Sequence, residues 1–402
     1  MFAEVRARRW VAGLGLAALP LLAACSGAGA QDGPGADRPA GQGASPSAEP
    51  AKVELTTNLA KPRQVAVDQV VEVGARNGTL TSVQVRTGKG RKLAGELDGE
   101  TWTATGRLEP GTTYHVKAVA ERGADGRSMR SATTFRTADL SLDEQTYASV
   151  APLQGETVGV GMPVVVSFDI PVQNKKAFEK HMSVTSSPQQ KGSWHWMSDT
   201  EAHWRPAKYW QPGTDVSVDV DVNSVPAGNG IYGQESRKVD FTVGDAVISK
   251  VDMASHQMKT FINGELAKTT PITTGKPGFT TRSGVKVIME KFDSKRMNSE
   301  TIGIDPSSAE GYDLNNVQWA MRVTSSGEFL HSAPWSVGSQ GYANVSHGCT
   351  GMSPENAKWL YDLSKRGDVV EYTGSDRPMT VDNGYGDWNL PFQEYAAGSA
   401  LG

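Results

Sequence analysis

A cysteine and two histidines in the last third of the chain have the types and spacing for nucleophilic chemistry. Phe329-Leu330-His331 ends an apolar stretch, and Ser346-His347-Gly348-Cys349 follows after fourteen residues. A cysteine attacks a carbonyl carbon as its thiolate, and a neighbouring histidine or the positive end of a helix lowers the thiol pKa. Gly348 permits close backbone approach, so adjacent N–H groups can stabilise a tetrahedral oxyanion. Three readings are open at this point: a buried structural cysteine, a metal site built from His331, His347 and Cys349, and acyl transfer by a Cys–His pair. The metal reading lacks a fourth ligand at recognisable spacing. Ser-His-Gly-Cys is unusual company for a purely structural thiol, so the residues themselves favour acyl transfer.

The elements that must hold this cluster are marked locally. Ser353 suits an N-cap, Pro354 a first turn and Gly367 a C-terminal cap, which predicts a helix after the cysteine. Ala357, Leu360, Tyr361 and Ser364 share one face of it, so that face lies against a sheet, and 368–372 returns as a strand. Cys349 is thereby expected just before a helix N-terminus. Asn263-Gly264 between 258–262 and 265–272 signals a hairpin. Strands are also expected at 285–289, 318–323 and 329–331.

Upstream, alternation of apolar and polar residues predicts half-buried strands at Val65/Val67, Val71/Val73, Val83/Val85, Tyr114/Val116/Ala118 and Val216/Val218/Val220/Val222. Pro-Gly-Thr precedes such a run at 110–112 and again at 212–214, and Phe135-Arg-Thr-Ala-Asp139 is echoed by Phe241-Thr-Val-Gly-Asp245. Two units about a hundred residues long mean tandem domains rather than a solenoid of ~20–50-residue repeats. Leu108-x-Pro110 with Tyr114 suggests a tyrosine corner, and with it immunoglobulin-like sandwiches at 53–139 and 140–245. Trp194, Trp196, Trp204, Tyr209 and Trp210 cluster in the second unit. They are expected to pack in its core or against a neighbour, with a sugar-stacking platform as the other reading.

The N-terminus carries Arg6, Arg8 and Arg9, an apolar run to Ala24, and Leu22-Ala23-Ala24-Cys25, the pattern of a secretory signal. The tetrapeptide resembles a bacterial lipobox, which implies cleavage after residue 24 and acylation of Cys25. Residues 25–52 hold little that could pack and read as a tether. The net charge of −4 argues against a nucleic-acid partner. With two cysteines in all, Cys25 and Cys349, a disulfide scaffold is excluded.

His331, the fourteen-residue spacer and Ser346-His347-Gly348-Cys349 resemble the signature of L,D-transpeptidases of the YkuD type. The stretch 331–341 (HSAPWSVGSQG) and the tail 386–392 (GDWNLPF) are similar to the mycobacterial-type branch. The fold expected is mostly β: two tandem immunoglobulin-like β-sandwiches, then a YkuD-type β-rich catalytic domain at 246–372 with a short helix after the cysteine, and a C-terminal extension at 373–402. The resemblance implies that Cys349 is the nucleophile, that His331 is the base oriented by the Ser332 carbonyl, and that His347 supports the loop or substrate. It implies a lid over 290–325 and substrate contacts from Met297, Tyr312, Ser326, Gly327, Ser332, Trp335, Ser346 and Gly348. The implied partners are donor and acceptor tetrapeptide stems of peptidoglycan, the membrane through the N-terminal lipid, and carbapenem β-lactams as inhibitors. No cofactor and no metal are implied. The implied product is a 3→3 cross-link formed through a thioester with release of D-Ala. Hydrolysis or D-amino-acid exchange at the same site is the alternative, and a non-catalytic wall-binding lipoprotein is the reading from another class. Gly351 stands where the family often has Asn.

Overall fold

Strict alternation builds the first half of the chain. The computed structural model describes residues 52–402 apart from Ala124 and Asp125, so the signal, Cys25 and the tether up to residue 51 lie outside the described residues. In the first sandwich, the sheet of Glu54–Thr57, Glu72–Arg76, Gly95–Asp98 and Thr101–Ala104 is one layer. Thr79–Thr87, Lys92–Leu93, Thr113–Glu121 and Ser128–Arg136 form the other. Tyr114, Val116, Ala118 and Ala120 are buried on one face of their strand, as the period of two requires. The Tyr114 hydroxyl accepts the Glu109 N–H at 2.8 Å, which makes the tyrosine corner. Val65 and Val67 are buried too, but Val65 makes only an isolated bridge to Thr137. A turn closed by the Gln69 N–H on the Ala66 carbonyl breaks that run before a strand can form.

The second sandwich repeats the plan. Ala148–Ala151, Val164–Phe168, Gly192–Trp196 and Glu201–Pro206 face Thr157–Val158, Met182–Ser187, Asp215–Val220 and Arg237–Val243. The repeated Pro-Gly-Thr has the same job in both units. The Gly111 N–H donates to Ala138 and the Gly213 N–H to Val243, each in the strand end that carries the repeated Phe motif. Trp194, Trp204 and Trp210 are buried in this core, and Trp196 and Tyr209 are half-buried against it. This packing fits the core reading of the cluster.

The catalytic domain consists of β1 (Val247–Asp252), β2 (Gln257–Ile262), β3 (Glu265–Pro271), β4 (Gly284–Val287), β5 (Glu290–Asn298), β6 (Asp313–Arg322), β7 (Phe329–Ser332), β8 (Thr350–Met352), α1 (Pro354–Leu363) and β9 (Val369–Thr373). Their sheets run β3-β2-β1-β9-β4 and β5-β6-β7-β8. Asn263-Gly264 closes the β2–β3 hairpin. Between the sheets lies a core that includes Val251, Met258, Ile272, Met321, Leu330, Met352 and Leu360. Ala357 and Leu360 turn the apolar face of α1 into it.

A second local expectation fails. The helix α1 ends at Leu363, with Ser364 as its C-cap in extended backbone, and Gly367 lies in the turn beyond. Gly367 has φ +94°, and a Cβ there would stand 2.6 Å from Met162 Cβ. It is glycine because the second sandwich presses on it: the Gly161 N–H donates to the Gly367 carbonyl and the Gly159 N–H to Arg366. Val369 accordingly belongs to the apolar core of the second sandwich.

The extension after β9 returns to that sandwich and is fastened there by buried polar groups. Arg205 is sandwiched among Trp388, Phe392 and Tyr395 and donates to the Leu390 carbonyl at 2.8 Å. Fully buried Asp387 accepts from His203 Nδ1 at 2.9 Å and from the Tyr395 hydroxyl at 2.9 Å. Burial alone would push the His203 imidazole down, but Asp387 and Glu201 hold it up at about 9, so it is charged at neutral pH. Because its folded pKa lies above the ordinary 6.5, the stability it contributes is complete below pH 6.5 and is lost as pH rises through about 9. His203→Ala leaves Asp387 buried without its cation and should cost about 3–5 kcal/mol. Thermal unfolding of wild type should fall between pH 6.5 and 9, and the variant should lack that decline.

Candidate active site

The site is assembled by the parallel pairing of β7 with β8. Leu330 lies opposite Thr350 and His331 opposite Gly351, so Cys349, one residue before β8, lies beside the start of β7. All four residues of β7 are buried, which fixes the His331 ring in the sheet. Gly348 has φ +124°, a conformation that favours glycine, and it turns the chain into β8 at the cysteine. Ser346 clamps the same turn: its hydroxyl donates to the Cys349 carbonyl at 2.6 Å and accepts the Gly348 N–H at 3.1 Å. That Gly348 N–H is therefore engaged and is not a free oxyanion donor.

His331 Nδ1 lies 2.8 Å from the Ser332 carbonyl oxygen. A carbonyl only accepts, so Nδ1 carries the proton and Nε2 is left with its lone pair. Burial lowers the imidazole pKa, against the pull of the Ser332 carbonyl, which keeps the ring neutral and able to take a proton at pH 7. Trp335 stacks against it at 5.9 Å. The Cys349 thiol lies 3.7 Å from the Gly327 carbonyl. Burial pushes it up to about 11, with the Phe329 backbone N–H pulling the other way and Glu328 raising it further. This reverses the expectation from sequence. The helix dipole acts only within its first turn, and β8 separates α1 from the cysteine. The resting sulphur is thus a protonated thiol that needs a base.

A cavity of about 330 Å³ is lined by Cys349, His331, His347, Met297, Tyr312, Trp335 and Ser346 among the residues singled out from sequence. Thr273, Leu314, Ala333, Ser336, Val345 and Gly351 complete it. Gly327 offers its carbonyl to the sulphur, Ser332 acts through its carbonyl, and Gly348 forms the turn before the cysteine without lining the cavity. Ser326 is a correction: its N–H donates to Asn383 at 2.9 Å and its hydroxyl to Thr324 at 3.3 Å. It ties the Gly327 turn to the extension instead of lining the cavity. At Gly351 a Cβ would stand 2.9 Å from Ala333 Cβ and 3.0 Å from Thr273. These two side chains occupy the room that an amide would use.

His347 is bonded to the lid. Its Nε2 lies 2.7 Å from Glu310, which also pairs with Lys276 at 2.5 Å, while Phe279 and Tyr312 pack on its ring. Glu310 had no local signal in sequence, being 37 residues from its partner. With His331 and His347 bonded in this way, the three side chains do not converge as ligands. Among the described residues, no group of three or more His, Cys, Asp or Glu side chains is placed to hold a metal ion.

A neutral imidazole with a free Nε2 and a half-buried thiol on one cavity define a cysteine acyltransferase. Residues 246–371 match the model of the L,D-transpeptidase catalytic domain, and 62–226 match that of a bacterial Ig domain. The chain is 36% identical to L,D-transpeptidase 2 of Mycobacterium tuberculosis over 98% of its length and 96% of that protein's. It is 40% identical to L,D-transpeptidase 1 of the same species, over 56% of this chain and 84% of that one. A solved structure of an LD transpeptidase in complex with imipenem superposes with a TM-score of 0.51 at 40% identity, covering 57% of this chain and 99% of that one. The chain belongs to the L,D-transpeptidase family: it is an acyltransferase that cross-links peptidoglycan. Replacing His331 by Ala should slow acyl transfer by roughly 10²–10⁴-fold. In wild type the acid limb should lie below pH 6.5, where the lowered imidazole finally protonates, and mass spectrometry of the acylated protein across pH checks both.

Proposed function

We propose that Cys349 carries the acyl group and that His331 moves the protons in a 3→3 cross-linking reaction between tetrapeptide stems. His331 Nε2 takes the thiol proton as the sulphur attacks the carbonyl of the donor stem's third residue. The tetrahedral intermediate expels the terminal D-Ala, whose amine receives that proton, and a thioester remains on Cys349. The side-chain amine of the third residue of a second stem then attacks the thioester, giving up a proton to Nε2, and the thiol is released with a proton restored. The observation that carries this reading is the Nδ1–H bond to the Ser332 carbonyl, which leaves Nε2 basic at a cavity that Cys349 also lines.

Tyr312, Met297 and Trp335 form the walls against which the donor stem is held, and the hairpin of β5 and β6 serves as the lid. The Glu310 carboxylate latches it to His347 and Lys276. Ser346 and Gly348 hold the cysteine turn, and Ser332 acts through its carbonyl. The complex of a relative with imipenem supports carbapenems as acylating inhibitors of this site. Hydrolysis of the same thioester by water, or its capture by a free D-amino acid, uses the same groups.

Incubation with disaccharide-tetrapeptide should yield cross-linked dimer and D-Ala by mass spectrometry, with none from Cys349→Ala. Tripeptide without dimer would assign the hydrolytic reaction instead. A carbapenem should add its mass to wild type only.

The N-terminal pattern supports a lipid on Cys25, anchorage on the extracytoplasmic face of the cell membrane, and work in the wall beyond it. The tether and the sandwiches then act as a spacer. Mass spectrometry of the protein purified from its own membranes should find Cys25 acylated at a new N-terminus, and a free Cys25 thiol there would overturn the anchor.

A further inference from the structure

Beneath the cysteine turn lies a buried charge cluster that the reaction above does not use. Lys286, on β4, is fully buried, and its ammonium group is paired with Glu328, itself 5% exposed. Glu328 also accepts the Arg282 guanidinium at 2.8 Å and the Arg282 N–H at 3.2 Å. An isolated lysine at such a position would be strongly disfavoured, and an apolar pair would fill the space more cheaply. The location gives the cluster a use.

Glu328 stands between the two backbone groups that meet the sulphur, the Gly327 carbonyl and the Phe329 N–H. Its own N–H is held by Thr324 at 2.8 Å, and its Cγ lies 3.7 Å from the position of a Cβ on Gly348. Through Arg282, Glu328 binds the turn 324–328 to the segment entering β4. One residue earlier, Thr281 donates to the Gly348 carbonyl at 2.8 Å. The carboxylate thus positions both sides of the cysteine pocket, but it also places a negative charge beside a group that must become an anion. Lys286 lies 3.7 Å over the Tyr372 ring, and the Tyr372 hydroxyl meets the Thr350 hydroxyl at 2.8 Å, next to Cys349.

We propose that Lys286 is a positioning residue for the cysteine: together with Arg282 it neutralises Glu328, so that the carboxylate can brace the pocket without opposing thiolate formation. The other charged or titratable groups around Cys349 are Arg322, already paired with Glu290 at 2.7 Å, and His331, His347, Tyr312 and Tyr372. None of these contacts Glu328; Arg282 does, but its side chain is 16% exposed where that of Lys286 is fully buried. Glu328 raises the thiol pKa while Lys286 lowers it, as this division of labour requires. Burial draws Lys286 itself down to about 8, with Glu328 opposing, so it keeps its proton at neutral pH.

The inference rests on Cys349 as the reacting thiol, and its test needs no stem peptide. Full-chain wild type and variants are alkylated with iodoacetamide across pH, with Cys349→Ala measuring any contribution from Cys25. Lys286→Met should slow alkylation of Cys349 at neutral pH by about tenfold, an alkaline displacement of about one unit. Lys286→Arg should restore the wild-type profile. The double change Lys286→Met with Glu328→Gln should also return it toward wild type, since it removes the carboxylate that Arg282 alone would otherwise have to balance. A purely structural pair would lower the unfolding temperature without moving the profile of the folded protein. An unmoved profile in Lys286→Met, or no recovery in the double variant, overturns the proposal. Alkylation that follows this pattern while no dimer forms from stem peptide would overturn only the cross-linking assignment.

Discussion

The parallel register between β7 and β8 is the constraint on which the active site depends. It joins strands whose nearest ends are separated by a seventeen-residue excursion, from 333 to 349, and brings the base on one to the nucleophile at the head of the other. Parallel strands cannot be joined by a tight turn, so the intervening chain has room to contribute Trp335, Ser336, Val345 and Ser346 to the cavity. A one-residue slip would put His331 on the opposite side of the sheet. Burial of all four β7 residues opposes that slip.

The remaining architecture bears on this register from three sides. The turn 324–328 is held by Glu328 and its cations below and by Asn383 of the extension through Ser325 and Ser326. The lid hairpin is tied to the cysteine loop by Glu310. The second sandwich shares its core with Val369 of β9 and binds the turn at Gly367. It is therefore more than a spacer in the physical sense, because the catalytic sheet is packed against it. The first sandwich meets the second through Arg107, which donates to the Asn223 and Asp221 carbonyls at 2.7 Å each.

The electrostatics also differ from those of an enzyme that stores a thiolate. A thiol held at about 11 beside a neutral histidine is inert until the proton can move to Nε2. Burial, the largest cause of both shifts, drives the pair towards its uncharged form. Closing a substrate over the cavity would strengthen every charge interaction there, so charge compensation beneath the loop matters at the moment of attack.

Much of this was legible in the chain itself. Alternation at Tyr114, Val116 and Ala118, the repeated Pro-Gly-Thr, the Asn263-Gly264 turn and the Ser353-Pro354 helix start are local signals whose physics is complete within a few residues. The spacing of His331 and Ser346-His347-Gly348-Cys349 marked the chemistry for the same reason. What the sequence could not decide depends on contacts between distant segments. Gly367 read as a helix cap, and only the approach of Met162 from another domain shows why it is glycine. The alternation at Val65 and Val67 was broken by a local turn, and Ser326 was drawn away by Asn383. The direction of the cysteine's pKa shift followed from its burial and from Glu328, not from its neighbour in sequence or the helix ahead. Lys286 and Glu328 are 42 residues apart, and no periodicity relates them. Local conformational preference was written in the residues, whereas desolvation and charge pairing exist only once the tertiary structure excludes water from the site.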